Sequence, residues 1–225
     1  MSLQSVDSGA VHFRKSVSSR AIFLKRTVDV VACSIFIIAF APLIAFLIIL
    51  VSLDGGAAFY SQKRIGRNGA MFPCFKFRTM VEDADRVLEQ LLAEDAALRQ
   101  EFQRFWKLKD DPRVTLVGKF LRRYSLDELP QIFNVLRGDM SLVGPRPRPV
   151  SEMQHFESIM PEFNYAYLSV KPGLTGLWQI SGRNHLTLEE KAELDARYAR
   201  DWSVRGDFAI ILATFPIVFS GDGAF

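Results

Sequence analysis

The chain has 225 residues, with 28 Lys and Arg against 25 Asp and Glu, for a net charge of +3. That balance excludes the strong basic excess of a protein that binds nucleic acid by bulk charge, and the length suits one domain or one domain with appendages. The 2 cysteines, Cys33 and Cys74, build no disulfide framework and read as reduced, packed side chains.

Residues 1–24 read as a flexible tail with no assignable chemistry. From Val30 to Val51 the sequence VVACSIFIIAFAPLIAFLIILV carries no charge. At helical rise it reaches about 33 Å, enough for a bilayer core of about 30 Å. Pro42 sits near its middle, removes a backbone hydrogen bond and clashes with the preceding turn, so the helix is expected to kink or break at Ala41–Pro42. Cations flank both ends: Arg20, Lys25 and Arg26 before, Lys63, Arg64 and Arg67 after. Orientation is read from asymmetry of such charges, and here there is little. The residues alone leave three readings of 25–53: a re-entrant hairpin, a tilted span, or a buried helix of a soluble protein. Asp29 is spaced to pair with Lys25 or Arg26 on one helix face.

Residues 54–225 read as the soluble, membrane-associated part. AFYSQKRIG and AMFPCFKFRTM, joined through Arg67-Asn68-Gly69, predict a β-hairpin, because Asn and Gly tolerate positive φ. Period-2 alternation places Lys76 and Arg78 together on one face of its second strand. Apolar residues from Leu88 to Phe105 recur at helical spacing and predict a charged amphipathic helix or helix pair. A turn at Asp110-Asp111-Pro112 leads into a short basic helix carrying Arg122 and Arg123. Then comes YSLDELPQIFNVLRGDMSLVGPRPRP. Ser125 and Glu128 have capping-box spacing. Asp127 falls at or near a helix N-terminus, where backbone N–H groups favour an anion. The three prolines at 145, 147 and 149 hold Arg146 and Arg148 on a stiff loop, which lowers the entropy lost on gripping a phosphate. In KPGLTGLWQISGRN, residues 171–184, the glycines permit unusual backbone angles. Thr187 and Glu190 cap an amphipathic helix. Asp207–Phe219 is apolar but too short to span at helical rise; it reads equally as a core helix or an interfacial anchor.

His12, His155 and His185 show no zinc-type spacing, and no P-loop or dinucleotide fingerprint is present. The chemistry-bearing constellation is the pair Asp127 and Glu128 among Lys76, Arg78, Arg122, Arg123, Arg137, Arg146 and Arg148. The residues alone fit a helix cap with surface cations, a phosphate-handling site, or a basic patch for anionic lipids.

The order of motifs decides among these. KRTVD, the apolar run with its proline, SQKRIGRNG, KFRTM, the DELPQ–PRPRP stretch, KPGLTGLWQISGRN and a terminal GAF, together spanning Lys25 to Phe225, closely resemble the bacterial sugar transferase family. These are monotopic phosphoglycosyl transferases that begin lipid-linked glycan assembly. The resemblance implies an α+β fold: a re-entrant membrane helix broken at Pro42, a small hairpin, and amphipathic interfacial helices around a catalytic core on the cytoplasmic face of the bacterial inner membrane. It implies transfer of a sugar-1-phosphate from a UDP-sugar to polyprenyl phosphate with release of UMP, as the first membrane step of exopolysaccharide or related glycan assembly. Asp127 matches the nucleophile and Glu128 its dyad partner, with Mg²⁺ held beside the two carboxylates. Arg146 matches the arginine on the substrate phosphate; Lys76 and Arg122 match residues lining the site. The KPGLTGLWQISGRN segment is similar to hexose-using members, so glucose or galactose is expected. Longer relatives carry further helices upstream, so the chain reads as a minimal catalytic form. Membrane lipids, a second copy of the chain and downstream glycosyltransferases are the expected partners; nucleic acid is not. The rival class is a non-catalytic membrane scaffold. An ordinary Asp titrates at about 4, so Asp127 is expected to be ionised without a general base.

Overall fold

The computed structural model describes residues 18–105, 108–182 and 186–220. Residues 1–17 of the expected tail and the terminal GAF lie outside these residues, as do Arg183 and Asn184. The chain is helix-rich with two small sheets.

Helix α1 (Ser19–Leu53) begins earlier than expected and takes in residues 19–24. Ser18 caps it through the Arg20 N–H. It also runs through Pro42 rather than ending there. A proline deletes one N–H donor and leaves the bonds on either side to hold the helix, so it bends a helix more readily than it severs one. The helix packs on the rest of the protein at two separate places. Cys33, Phe36 and Ile37 join one core and Leu47, Ile48 and Val51 join another. Between these anchor points Ile38, Phe40 and Phe46 are exposed. α1 is also long and apolar enough to cross a membrane.

Its basic flank is built into the fold. Lys25 donates to the Val143 carbonyl at 2.9 Å and pairs with Asp207 at 2.6 Å. Arg26 donates to the carbonyls of Val135 and Leu136. Asp29 does not take up the expected pair on its own helix face. It accepts from Ser141 Oγ at 2.8 Å and the Leu142 N–H at 3.0 Å.

Strands β1 (Phe59–Ile65) and β2 (Met71–Phe77) form the expected antiparallel hairpin. Both Asn68 and Gly69 take positive φ at its turn. The register pairs Arg64 with Phe72, Gln62 with Cys74 and Tyr60 with Lys76, so these six share one face. The amphipathic stretch is a helix pair, α2 (Ala84–Glu94) and α3 (Ala96–Phe105). The short basic helix is α4 (Leu116–Arg123), capped by Thr115 on the Gly118 N–H.

Helix α5 (Gln131–Arg137) starts directly after Pro130 and ends at Gly138 in the left-handed region. That position favours glycine, and its N–H closes on the Asn134 and Val135 carbonyls. Strand β3 (Ser141–Val143) then pairs in parallel with β4 (Gly173–Thr175). Helices α6 (Val150–Ile159), α7 (Pro161–Ser169), α8 (Leu177–Ile180), α9 (Leu188–Asp201) and α10 (Val204–Ser220) complete the chain. Phe156, Phe163, Tyr167, Ala196 and Ile210 from four of these form the largest core. The Thr187–Glu190 capping box is present in both directions. In α10, Ile210 and the Asp207 carboxylate face inward while Phe208, Leu212 and Phe215 are exposed at helical spacing.

Candidate active site

One side chain joins the hairpin to α5. Asn134 is fully buried; its Oδ1 accepts from the Phe75 N–H at 3.0 Å and its Nδ2 donates to the Pro73 carbonyl at 2.7 Å. The amide thus continues the edge of β2 with the backbone partners another strand would supply. The next residue on β2 is Lys76, and the turn before α5 carries the acid pair. Packing α5 on β2 therefore brings the two together.

Asp127 and Glu128 lie in a tight 3-10 turn, Leu126–Glu128, entered through Ser125 at φ 55°. The expected capping box does not form there, because Glu128 is used elsewhere. Its Oε1 accepts from Lys76 Nζ at 2.8 Å and lies 3.6 Å from Arg146 Nη1. Lys76 Nζ also stands 3.6 Å from Asp127 Oδ2. Arg122 donates through Nε to Thr79 Oγ1 at 3.0 Å and adds positive charge beside Asp127. A small, partly open cavity is lined by Arg64, Lys76, Glu128, Gln131, Arg146 and Gln179, among others. Asp127 is not part of this lining; it stands next to it, 3.6 Å from the Lys76 Nζ that is.

The two acids titrate apart. Burial pushes Glu128 up, but Lys76 and Arg146 outweigh it and hold the carboxyl down at about 2. Burial dominates at Asp127 and raises its pKa, against the pull of Lys76 and with a push from Glu128. A carboxylate beside a second carboxylate in a dehydrated turn is harder to charge than an ordinary aspartate.

The structure brings Lys76, Arg122, Asp127, Glu128 and Arg146 together and removes two expected members. Arg78 lies past the end of β2 and turns away, donating to the Ala57 and Val51 carbonyls at 2.8 and 3.0 Å. There it braces the C-terminal end of α1, whose last carbonyls lack helical partners. Arg148 is 2% exposed and faces the opposite side of its loop. It pairs with Asp195 at 2.8 Å and Glu152 at 3.0 Å, and its guanidinium lies over the rings of Phe156 and Phe163. Its backbone bridges to Ile65, with the Ile65 N–H donating to the Arg148 carbonyl at 3.0 Å. Arg123 and Arg137 are exposed and stay outside the cavity.

Arg64, Gln131 and Gln179 are the additions. Arg64 was legible as a membrane-flanking cation but not as a site residue; hairpin register alone would have placed it on the face of Lys76. The glycines of the KPGLTGLWQISGRN stretch serve close approach, not unusual angles, up to Gly176. A Cβ on Gly173 would collide with the Gly144 backbone, and one on Gly176 with the Gly144 carbonyl. That contact stitches β4 to the Arg146 loop, with the Gly173 N–H on the Pro145 carbonyl at 2.7 Å.

Comparison with known proteins supplies the context. The family model described as bacterial sugar transferase matches residues 20–221. The chain belongs to the bacterial sugar transferase family. The undecaprenyl-phosphate galactose phosphotransferase of Salmonella typhimurium is 49% identical over 204 residues, 90% of this chain and 42% of that protein. The exopolysaccharide production protein ExoY of Sinorhizobium fredii is 46% identical over 202 residues, 89% of this chain and 88% of that protein. The UDP-glucose:undecaprenyl-phosphate glucose-1-phosphate transferase of Escherichia coli is 37% identical over 205 residues, 88% of this chain and 40% of its own length. The chain spans under half the length of several curated relatives it matches.

Proposed function

We propose that this chain transfers hexose-1-phosphate from UDP-galactose or UDP-glucose to undecaprenyl or a similar polyprenyl phosphate, releasing UMP, as the first membrane step of exopolysaccharide or related glycan assembly. The observation that carries the reading is the clustering of Lys76, Glu128 and Arg146 around one cavity with Asp127 3.6 Å from Lys76, in a chain whose relatives are named for that reaction.

The chemistry follows from charge. A UDP-sugar brings a diphosphate that repels any carboxylate. Lys76, Arg146 and Arg64 surround the cavity with fixed positive charge, which offsets that repulsion and stabilises charge spreading over the transferring phosphoryl oxygens. An Asp127 oxygen attacks the phosphorus bearing the sugar. The new P–O bond forms as the bond to the UMP oxygen breaks, and UMP leaves. An oxygen of polyprenyl phosphate then attacks the same phosphorus, forms the lipid diphosphate-sugar and returns the Asp127 carboxylate. Two successive displacements let one pocket serve a soluble donor and a lipid acceptor in turn. Glu128, held ionised by Lys76 and Arg146, keeps both cations in place.

A magnesium ion suits the donor set. The Asp127 carboxylate makes no hydrogen bond among the described residues, and no cluster of three or more His, Cys, Asp or Glu occurs there. Asp127 and Glu128 would hold the ion together with substrate phosphate oxygens, the usual arrangement for magnesium. When bound, it supplies further positive charge against the diphosphate.

The membrane arrangement rests on α1. A segment crossing the bilayer has its ends on opposite sides, yet Cys33 and Val51 both pack on the same body. That supports a re-entrant helix with the exposed Ile38–Phe46 stretch in the lipid, and a catalytic domain resting on the cytoplasmic face of the inner membrane. The exposed row Phe208, Leu212 and Phe215 gives α10 the character of an interfacial anchor.

The test is UMP release from each UDP-hexose with polyprenyl phosphate and Mg²⁺. Release is expected with ping-pong kinetics. Tight membrane binding with no release from any UDP-sugar would favour a scaffold instead.

A further inference from the structure

The cavity has a neutral wall as well as a charged one. Gln131, the first residue of α5, is 2% exposed and lines the cavity. Its side-chain amide makes no hydrogen bond among the described residues. Gln179, on α8, lines the same cavity. Its Nε2 donates to the Leu174 carbonyl at 3.1 Å, which fixes the amide orientation, and its Oε1 is buried with no partner. A buried polar atom with no partner forfeits its hydration without recompense, as Gln179 Oε1 does. That oxygen, beside a second amide with no partner among the described residues at the same cavity, marks where a hydrogen-bonding ligand belongs.

We infer that Gln131 and Gln179 recognise the hydroxyl groups of the donor hexose, as neutral specificity residues beside the cations that take the diphosphate. This rests on the transferase reading above. The geometry of displacement assigns the sugar to this wall. Attacking and leaving oxygens lie roughly in line across the phosphorus, so UMP departs on the side away from Asp127. The hexose hangs from a lateral oxygen of the same phosphorus and stays beside the nucleophile through both displacements. Gln131 follows Glu128 by three residues and lines the same cavity. An amide offers one acceptor and two donors, a match for hydroxyls that do both.

The experiment measures two quantities on the full chain, in detergent or vesicles, for wild type, Gln131→Met and Gln179→Met. One is kcat/KM for UDP-galactose and UDP-glucose; the other is inhibition by UMP, which carries the nucleotide but no hexose. Each variant is expected to lose about tenfold or more in kcat/KM, the worth of a buried hydrogen bond to a hydroxyl. UMP inhibition should stay within about twofold, which also reports a folded site. Deoxy-hexose donors sharpen the assignment: deleting the hydroxyl that a glutamine reads slows the wild type and leaves the matching variant unchanged. Equal weakening of UMP inhibition would overturn the inference in favour of uridine recognition. Unchanged kcat/KM in both variants would overturn it outright. A variant that fails to fold by far-UV circular dichroism is replaced by Gln131→Ala or Gln179→Ala, and the same criteria apply. Absence of UMP release by the wild type with any UDP-sugar would instead remove the transferase reading itself.

Discussion

Arg146 and Arg148 stand two residues apart in one Pro-Arg-Pro-Arg-Pro string and have opposite fates. Arg146 is part exposed, 3.6 Å from Glu128, at the mouth of a charged cavity. Arg148 is sealed between Asp195 and two phenylalanine rings. The difference lies in what each side chain leaves unfilled. The Asp195 carboxylate is fully buried and compensates Arg148 within the protein. The cations around Glu128 outnumber the acids, which leaves that region with an excess of positive charge. A stiff, charged loop is therefore not by itself a phosphate grip; one of its arginines holds the loop so that the other can be aimed.

The sharpest way to break this contrast acts on the cavity. Asp127→Asn keeps the shape and removes the attacking charge. UMP release should fall by at least about a thousandfold, as for loss of a nucleophile, with an unchanged melting profile. Turnover near wild type would strip Asp127 of that role.

Next come the arginines themselves. Arg146→Met should lower kcat/KM by about a hundredfold or more, the scale for a positioned charge at a transition state, with little change in unfolding free energy. Arg148→Met should do the reverse in stability: leaving Asp195 buried without its cation costs about 3–5 kcal/mol. Adding Asp195→Leu to that variant removes the orphaned charge and should recover much of the loss. Denaturant unfolding of the four proteins measures this coupling. Equal stability of the two single arginine variants would erase the distinction.

How much of this was readable beforehand depends on the range of the interaction. Asp127, Glu128, Lys76 and Arg146 were legible because their chemistry sits in short motifs. The hairpin and the Thr187 helix cap were legible because turn and cap signals are local. Arg148 and Arg78 were misread because both are cations on stiff segments, and only tertiary partners separate a ligand grip from a brace. Arg148's acid lies on α9, far along the chain; Arg78's acceptors are backbone carbonyls, which no sequence pattern displays. Gln131 and Gln179 were invisible for a similar reason. Their cavity is lined in part by Gly173, on a strand that packs against Gly144 of the Arg146 loop, a tertiary contact no local motif displays.

The pH dependence separates the two acids of the dyad by a smaller margin. Glu128 is held down at about 2, so its contribution to stability is present above its usual 4.5 and fades only as pH falls through about 2. Asp127 is raised by burial, so its folded form gains a proton more readily than an ordinary aspartate as pH falls. Activity that needs its carboxylate should therefore drop on the acid side at a pH above the ordinary aspartate range, while the fold persists. The measurement is single-turnover UMP release against pH, beside far-UV circular dichroism. Lys76→Met removes the cation that opposes the shift and should move this acid limb to still higher pH. Movement the other way would show that Lys76 does not face Asp127 in the working enzyme.

The smallest effect tests the brace. Arg78→Met leaves the cavity cations in place and takes two hydrogen bonds from the carboxyl end of α1 and the turn after it. Bonds of this kind contribute about 1 kcal/mol each, so stability should fall by about 1–2 kcal/mol, with KM for the UDP-sugar unchanged. A rise in KM with unchanged stability would return Arg78 to the substrate. The expected pattern leaves it where the structure has it, joining the hairpin to the far end of the membrane helix. Both ends of α1 are then fixed to the body that carries the acid pair, so the position of the dyad relative to α1 is set by hydrogen-bonded structure independent of any ligand.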